Sequence, residues 1–356
     1  MFCAWLLPLF TSLTSLIFGY DEADLIFVGD AMQHKAQLEA ARSGNGYDYS
    51  GYFDAISPII SVADLAVVNL ETPVGAAPHT GYPCFNAPAE FVDALAEAGF
   101  DLFLTANNHT LDRGCRGLRS TIDILDNKKL RHIGTYTDSV ARTEALPAII
   151  EVNKFKIGFL NYTYGTNGIQ PRDGVIVDYI DRSLIKADVE AARKSGAELV
   201  CVCIHWGDEY RLLPNKAQQH LADFLEAIGV DMIIGAHPHV IQPMELRPNR
   251  YYPERNVLLV YSLGNFVSNM KTADTRGGAM LHVKLFRGDD KKATVKDADY
   301  RLLFTVPGTC PSDNFRVMEA DSVKIPAWQG RASEFGRRAR AVFDKHNVGI
   351  KEAEGL

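Results

Sequence analysis

The stretch of this sequence best suited to chemistry is a polar cluster formed by Asn107, Asn108, His109 and Asp112. It directly follows an apolar run, residues 101–106, which predicts a short buried strand. In an open α/β sheet, ligands bind at the carboxyl ends of the strands. An amide oxygen, an imidazole and a carboxylate in one loop could hold a divalent metal or a phosphate group. The alternative is a polar turn in which an asparagine caps the next helix, expected to start near Arg116.

Four other predicted strand ends carry side chains of the same kind. They add the candidate ligands Asp30 with His34, Asn69 with Glu71, His205, and His237 with His239. Carboxylate, amide and imidazole groups without a thiolate suit Mn, Fe or Zn. So many ligands would serve two ions, which in such pairs lie roughly 3.5–4 Å apart and clamp the attacking and leaving oxygens of a displacement.

Each ligand candidate also has a purely structural interpretation. Asn69 and Glu71 could form a hydrogen-bonded turn, and a lone histidine such as His205 is more often a satisfied core residue than a ligand. His237 and His239 are the hardest to explain without a ligand, because imidazoles two residues apart share a face if the segment is extended. Five coincidences at one edge of a sheet favour the metal site.

These ligands require a sheet whose strands end together at one edge. Apolar strand segments alternate with helical segments, and the pattern changes to an antiparallel meander and a final helix from about residue 277. The predicted strands cover residues 25–29, 65–69, 101–106, 131–134, 148–152, 156–160, 199–204, 232–235, 257–261, 280–286 and 300–305. The predicted helices end near residue 41 or cover residues 88–98, 117–125, 181–195, 214–228 and 333–346. The pattern predicts an α/β fold with a mixed sheet covered by helices, in a single domain over residues 21–356.

Two loops could form the walls of a pocket beside the predicted strand ends. The first runs from Pro73 to Pro88 and contains aromatic and cysteine residues. The second, residues 161–168, is polar and aromatic, and it either binds a substrate or is a surface loop.

Composition excludes some classes of protein. The chain has 356 residues, 47% of them hydrophobic and 23% charged, as is usual for a globular protein. Its formal net charge of -7 argues against a nucleic-acid partner, since surfaces that track phosphates are basic. The six cysteines form no CxxC or zinc-finger spacing.

Residues 1–20 are expected to be a signal peptide or a retained N-terminal anchor. Residues 2–18 carry no charge, although the basic segment that usually precedes a signal peptide is missing. Both interpretations predict export, to the periplasm or the cell surface, with residues 2–18 as the membrane anchor in the second.

Six motifs, in this order, resemble the CapA family of bacterial poly-γ-glutamate capsule-synthesis proteins. The resemblance covers roughly residues 24–270. The motifs are Gly29-Asp30-Ala31-Met32, Asn69-Leu70-Glu71-Thr72-Pro73, Ala106-Asn107-Asn108-His109 with Asp112 and Gly114, His205-Trp206-Gly207 with Glu209 and Tyr210, Gly235 with His237-Pro238-His239, and Ser262-Leu263-Gly264-Asn265-Phe266. The resemblance implies a calcineurin-like metallophosphoesterase fold, a two-sheet β-sandwich flanked by helices in four layers. It also implies export and, in some members, a role in making or anchoring an anionic polymer.

The resemblance further implies a role for each residue. Asp30 and His239 would bind the first metal, and an acid in the segment 69–71, Glu71, would bridge the two ions. The residues implied for the second metal are Asn108, His205 and His237. His109, helped by Asp112, would act as general acid or orient the phosphate group. Glu209 and Asn265 are further candidates for the site.

The first metal site departs from the pattern of the wider superfamily. Met32 stands where those enzymes have a histidine, and Asn69-Leu70-Glu71 replaces their bridging aspartate. His34 could substitute for the missing imidazole. The protein could also work with one metal.

Two functions are compatible with these residues. The first is a phosphoester hydrolase with a metal-bound hydroxide as nucleophile, and the spare imidazole of His109 favours it. The second is a non-catalytic assembly factor of a membrane-associated synthesis complex, which binds an anionic polymer or a phosphorylated, lipid-linked carrier. Met32 favours this second function.

Overall fold

The computed structural model describes residues 21–289, 291–310 and 313–353. The predicted signal peptide or anchor, residues 1–20, lies outside the described residues. Within the described ranges, no helix is both long and apolar enough to cross a membrane.

The strands are β1 (Asp21–Ala31), β2 (Arg42–Ser43), β3 (Gly46–Tyr47), β4 (Leu65–Leu70), β5 (Leu102–Leu104), β6 (Arg131–Ile133), β7 (Thr135–Tyr136), β8 (Ala148–Val152), β9 (Phe155–Thr163), β10 (Ile176–Val177), β11 (Leu199–His205), β12 (Met232–Ala236), β13 (Ile241–Pro248), β14 (Asn256–Leu263), β15 (Asn265–Val267), β16 (Gly277–Arg287), β17 (Ala293–Val306), β18 (Arg316–Glu319) and β19 (Lys351–Glu352). The helices are α1 (Lys35–Ala40), α2 (Ser57–Ile60), α3 (Ala89–Glu97), α4 (Gly114–Asn127), α5 (Ser139–Ala145), α6 (Arg182–Lys194), α7 (Lys216–Ala227) and α8 (Pro326–His346), with a 3-10 turn at Ala320–Ser322.

Two large mixed sheets form the centre of the fold. The first has the strand order β18-β17-β16-β1-β4-β5-β6, in which β1, β4, β5 and β6 run parallel. The second has the order β13-β14-β12-β11-β9-β8, in which β9, β11, β12 and β14 run parallel. Each sheet thus has a parallel segment whose carboxyl ends can present ligands at one edge.

Apolar strands buried on both faces explain why the sheets stack. In β1, Leu25 and Phe27 belong to the core between the sheets, whereas Ile26 and Val28 face the helices. Because successive side chains point to opposite faces, a continuous apolar run is suited to a sheet covered on both sides.

Helices cover the outer face of each sheet. Residues of α1, α2 and α3 pack on the first sheet, and residues of α6 and α7 pack on the second. The last helix, α8, contributes Phe335 and Phe343 to the core between the sheets. The expected four-layer sandwich is confirmed.

The strand β15 connects the two sheets. It follows β14 of the second sheet after Gly264 alone and pairs in parallel with β1 of the first. The contact is close, because a Cβ atom on Gly29 would lie 1.9 Å from the carbonyl oxygen of Gly264. Only glycine allows this approach of two backbones.

Most element bounds differ from the predictions by a few residues, and α2, α5, β13, β15, β18 and the two-residue strands were not predicted. The helix expected near Arg116 begins at Gly114, and its N-cap residue, Arg113, makes no side-chain capping bond. The alternative interpretation of the cluster, in which an asparagine caps this helix, is therefore wrong.

Candidate metal centre

Residues from both sheets meet at the carboxyl ends of their parallel strands. The first sheet supplies Asp30 in β1, Asn69 in β4, Glu71 just after β4, and Asn108, His109 and Asp112 in the loop after β5. The second sheet supplies His205 at the end of β11, and His237 and His239 directly after β12. The five predicted strand ends thus converge on one site.

Glu71 lies at the centre of this site and lacks a hydrogen-bond partner. Its side chain is 0% exposed, and neither carboxylate oxygen has a hydrogen bond among the described residues. Oε1 lies 3.5 Å from Nε2 of His205 and 3.8 Å from Nε2 of His239. Burial, followed by the charge of Asp30, raises the pKa of Glu71 well above its ordinary value. A buried carboxylate without partners is costly, and a bound cation would remove that cost.

Two groups of potential metal ligands share Glu71. One contains Asp30, Glu71 and His239, the other Glu71, His205 and His237, and the ligand atoms within each group lie within 4.8 Å of one another. Two ligands on one ion, with bonds of about 2.1 Å, lie about 3.0–3.4 Å apart. Nδ1 of His239 lies 3.1 Å from Oδ2 of Asp30, within hydrogen-bond distance, so Nε2, 3.8 Å from Oε1 of Glu71, is the ring nitrogen left for the metal.

Asn108 lies beside the second group. Its Oδ1 is 2.9 Å from Nε2 of His205, close to the separation expected for two ligands on one ion. Its Nδ2 donates a hydrogen bond to Oδ1 of Asn167 at 3.3 Å, so the amide presents its oxygen to the site. The donor set therefore fits divalent metal binding, with Glu71 common to the two groups.

Two further asparagines hold the ligands in place. Nδ2 of Asn69 donates to Oδ1 of Asp30 at 2.8 Å, and Oδ1 of Asn265 accepts from Nδ1 of His239 at 3.0 Å. Both amides contact a ligand side chain directly, and from there they hold Asp30 and His239 in orientation.

The electrostatics of two of the three ligand imidazoles favour metal binding. Burial, with the neighbouring imidazoles His237 and His239, lowers the pKa of His205 well below its ordinary value. Burial and His239 lower the pKa of His237 to about 4. Both rings are therefore neutral at neutral pH, and neutral imidazole is the form that binds a metal.

The backbone of His237-Pro238-His239 is bent rather than extended. His237 has φ 100° and His239 has φ 58°, both in the region that favours glycine. The condition under which the two side chains would share a face is therefore not met, yet the two ring centroids lie 6.0 Å apart and both rings reach the site. Strained backbone of this kind is concentrated at functional sites.

Glu209 adds a carboxylate at the solvent side of the site. This exposed residue forms a third group with His237 and His239, with ligand atoms again within 4.8 Å of one another. It could supply the first ion with a donor that Met32, buried in the core, cannot provide.

His34 stays outside all three ligand groups of the described residues. Its Nδ1 accepts a hydrogen bond from the backbone nitrogen of Asn269 at 3.2 Å and lies 3.2 Å from Oε1 of Gln37. The structure thus brings His34 near the site but gives no geometric support to its predicted role as a substitute ligand.

His109 is held beside the ligands without joining them. Its Nδ1 is 2.8 Å from Oδ2 of Asp112, and the same oxygen accepts a hydrogen bond from the backbone nitrogen of Phe85 at 2.8 Å. The ring of Phe85 packs edge-on against the imidazole, with centroids 4.7 Å apart. This arrangement fixes the ring and leaves Nε2 for a substrate.

Both predicted loops border the site through residues that were not singled out. Phe85 comes from the first loop, and Asn167 and Tyr164 come from the second. The ring of Tyr164 lies 4.6 Å from that of His237, centroid to centroid, and is half exposed. The signal in the sequence was the aromatic and polar composition of these loops, which does not identify single residues.

The comparisons with known proteins agree on one family. Residues 24–270 match the bacterial capsule synthesis protein family PGA_cap. The chain is 28% identical over 276 residues to the capsule biosynthesis protein CapA of Bacillus anthracis, covering 74% of this chain and 64% of that protein. It is 29% identical over 288 residues to the PGA biosynthesis protein CapA of Bacillus subtilis (strain 168), covering 77% and 70%. The chain thus spans about two thirds of the length of these curated relatives.

Solved structures show the same fold. NAD nucleotidase of Haemophilus influenzae superposes with a TM-score of 0.52 at 10% sequence identity, covering 94% of this chain and 58% of that protein. At this identity the similarity concerns the fold alone. With this calcineurin-like metallophosphoesterase fold and a family match over most of its length, the chain belongs to the bacterial capsule synthesis protein family PGA_cap, the CapA family.

Proposed function

We propose that this protein is an exported, metal-dependent phosphoester hydrolase of capsule or poly-γ-glutamate-type polymer biosynthesis. The observation that carries the proposal is the buried carboxylate of Glu71, which has no hydrogen-bond partner among the described residues and is shared by two ligand groups. The fold alone gives no reason for such a site, because burying a carboxyl group without a hydrogen bond destabilises the protein.

The residues divide into three tasks. Asp30, Glu71 and His239 would hold one ion, and Asn108, His205 and His237, with Glu71, the other. Mn, Fe or Zn bound there would lower the pKa of a water molecule and offset the charge of the phosphoryl oxygens. Asn69 and Asn265 keep the ligands oriented through their hydrogen bonds.

His109 would act on the leaving oxygen. Asp112 fixes the orientation of its ring through Nδ1, so that Nε2 can donate a proton to a substrate oxygen. A site that only bound an anion would not need an imidazole so firmly positioned beside the ligands.

The proposed substrate is a phosphorylated, lipid-linked carrier or a phosphoester of the anionic polymer. The relatives named for capsule and PGA biosynthesis support this class. Under this proposal residues 1–20 direct export or anchor the chain, and the mature protein starts near Tyr20 or keeps its anchor. N-terminal sequencing of the protein from fractionated cells distinguishes these states from a cytosolic chain that retains Met1.

One observation favours a second candidate function, a non-catalytic assembly factor that binds the polymer within a membrane-associated synthesis complex. Met32 occupies the place of an expected imidazole, and a soft thioether is a poor substitute for that nitrogen at a Mn or Fe ion. Such a protein would bind an anionic polymer and hydrolyse no ester.

The test combines metal analysis with a panel of phosphoester substrates. We expect the purified protein to carry Mn, Fe or Zn and to hydrolyse a phosphoester when Mn²⁺ is added. Glu71→Gln keeps the shape of the side chain but should lose most bound metal and activity. Glu254→Gln, at an exposed position outside the ligand groups, is the matched control and should lose neither. Absence of turnover on the whole panel, together with polymer binding, would favour the assembly factor.

A further inference from the structure

A cavity of about 620 Å³ lies outside the metal centre. Its wall includes Lys271 and Arg276 from the segment before β16, and Trp328 and Arg331 from α8. None of the candidate metal ligands lines it. Two of its acidic neighbours, Glu39 and Asp313, already have basic partners of their own.

The buried guanidinium of Arg276 is the unusual feature of this cavity. The side chain is 4% exposed, and its Nε and Nη1 have no hydrogen-bond partner among the described residues. The Nε1 donor of Trp328 is likewise unpaired within the described part of the chain. Cζ of Arg276 lies 5.0 Å from the centroid of the Trp328 ring, and Cζ of Arg331 lies 5.2 Å from it.

Among the described residues, no carboxylate forms an ion pair with Arg276. Asp313 bonds to Arg316 and to the hydroxyl of Thr309, and Glu39 lies 3.6 Å from Nζ of Lys35. Burial, together with the charge of Arg331, lowers the pKa of Arg276 to about 10, so the group is still cationic at neutral pH. A buried cation whose charged neighbour is a second cation destabilises the fold, unless an anion binds between them.

We propose that this cavity is a binding site for an oxyanion, a carboxylate or a phosphate group. Its unpaired groups are hydrogen-bond donors, which suits such a ligand. Arg276 and Trp328 would bind the oxyanion inside, while the exposed Arg331 and Lys271 would attract it at the entrance.

The cavity and the metal centre share a wall. Asn269 lines the cavity, and its backbone nitrogen donates to Nδ1 of His34 at 3.2 Å. Thr275, next to Arg276, accepts a hydrogen bond from Asn265, which in turn contacts His239. The two sites could therefore hold two anionic groups of one polymer or carrier, and this extension rests on the proposed function.

The experiment measures anion binding to full-length protein that has been treated with a chelator, so that the metal centre does not contribute. Isothermal titration with a γ-linked glutamate oligomer and with inorganic phosphate distinguishes the two sources of the oxyanion. A glutamine oligomer is the neutral control. We expect saturable binding of at least one of the two anions and none of the neutral oligomer.

Two variants assign the binding to the cavity. Arg276→Met should weaken binding about tenfold or more, because hydrogen bonds to charged groups contribute most strongly. Arg331→Gln, at an exposed position where folding is not at risk, should weaken it severalfold. Arg338→Met removes the same charge from the same helix, but Arg338 pairs with Asp274 and lies outside the cavity, so binding should be unchanged.

Stability gives an independent measurement. An anion that binds Arg276 should raise the melting temperature of wild-type protein and leave that of Arg276→Met unchanged. Equal affinity of wild type and both cavity variants, or no saturable binding of either anion, would overturn the proposal. These titrations require no turnover. A protein that binds the anion but hydrolyses no phosphoester would therefore contradict the proposed function and leave the anion site supported.

Discussion

At the scale of single residues, His109 separates an enzyme from a binding protein. The ring is oriented by Asp112 and Phe85 but belongs to no ligand group. His109→Ala should therefore keep near-normal metal content and lose about 10²–10⁴-fold in kcat, the usual contribution of a general acid. Single-turnover kinetics with a phosphoester and metal analysis of the same sample measure both quantities.

The matching variant is Asn108→Ala, at the neighbouring position. The amide oxygen of Asn108 lies 2.9 Å from a histidine ligand, so this variant should lose metal and activity together. If His109→Ala turned over as fast as wild type, a catalytic role for the imidazole would be ruled out.

Glu209 provides a second prediction at this scale. It forms a ligand group with His237 and His239, on the side of the site that lacks the imidazole replaced by Met32. Glu209→Gln should lower the bound metal from about two equivalents towards one, because the bridged pair then loses a donor of its first ion. Asp208→Asn is the control, since Asp208 bonds to Asn215 and belongs to no ligand group. Equal stoichiometry in both variants would exclude Glu209 as a ligand.

The sequence identified the site residues by their places at strand ends, but it did not assign their contacts. Asn69 and Glu71 lie two positions apart; Glu71 was expected to bridge the ions, and Asn69 was a further candidate for the site. Whether Asn69 or Glu71 contacts an ion depends on which side chain points into the site. That direction is set by the bulge between Val28 and Asp30 and by the turn after β4. Sequence spacing does not contain that information.

At the scale of elements, apolar runs predicted the parallel strands well, whereas charged and proline-containing strands escaped notice. β13 contains Pro243, but it lies at the edge of its sheet and tolerates a residue without an N–H donor. The first residues of β1 are acidic, and they pair with basic residues of β16, as in the contact of Asp21 with Arg287 at 3.0 Å. Such cross-strand complementarity is visible only once the partner strand is known.

The pairing of β16 with its neighbours depends on pH through His282. Burial alone would lower the pKa of His282, but hydrogen bonds to Asp24 in β1 and Asp299 in β17 raise it to about 9. Since the pKa is higher in the folded state, this stabilisation is complete below about pH 6.5 and is lost as the pH rises through about 9.

His282→Gln should therefore lower the free energy of unfolding at about pH 6 and have little effect at about pH 10. Urea denaturation of wild type and variant at both pH values measures the difference. An equal loss at both would mean that packing of the ring, and not its charge, is what the strands need.

At the scale of the whole molecule, the candidate metal centre joins the two sheets. Asp30, Glu71 and Asn108 come from the first sheet, and the three histidine ligands come from the second. Ions that bind only the folded state stabilise it by about 2.7 kcal/mol at a hundred times their dissociation constant. A chelator should thus lower the melting temperature of wild type by several degrees and leave Glu71→Gln unaffected.

Differential scanning calorimetry with and without chelator measures this shift. A wild-type melting temperature that is unchanged by both chelator and added Mn²⁺ would contradict metal binding.

The layered architecture itself was predictable, since alternating strands and helices admit few arrangements. The link between the sheets through β15 was not, because nothing in the segment 262–267 indicates that the chain changes sheets at Gly264.

This crossing at Gly264 also sets the order in which the protein can mature. Asp30 and its partner His239 are 209 residues apart in the chain, and the backbone contact of Asp30 is with Gly264. At the usual pace of translation, the ribosome adds the intervening residues in roughly 10–40 s. During that interval the nascent chain contains Asp30 but not yet His239, so the metal centre is incomplete. Metal loading is then a late event, and an exported chain would take its ions from the compartment in which its last strands fold.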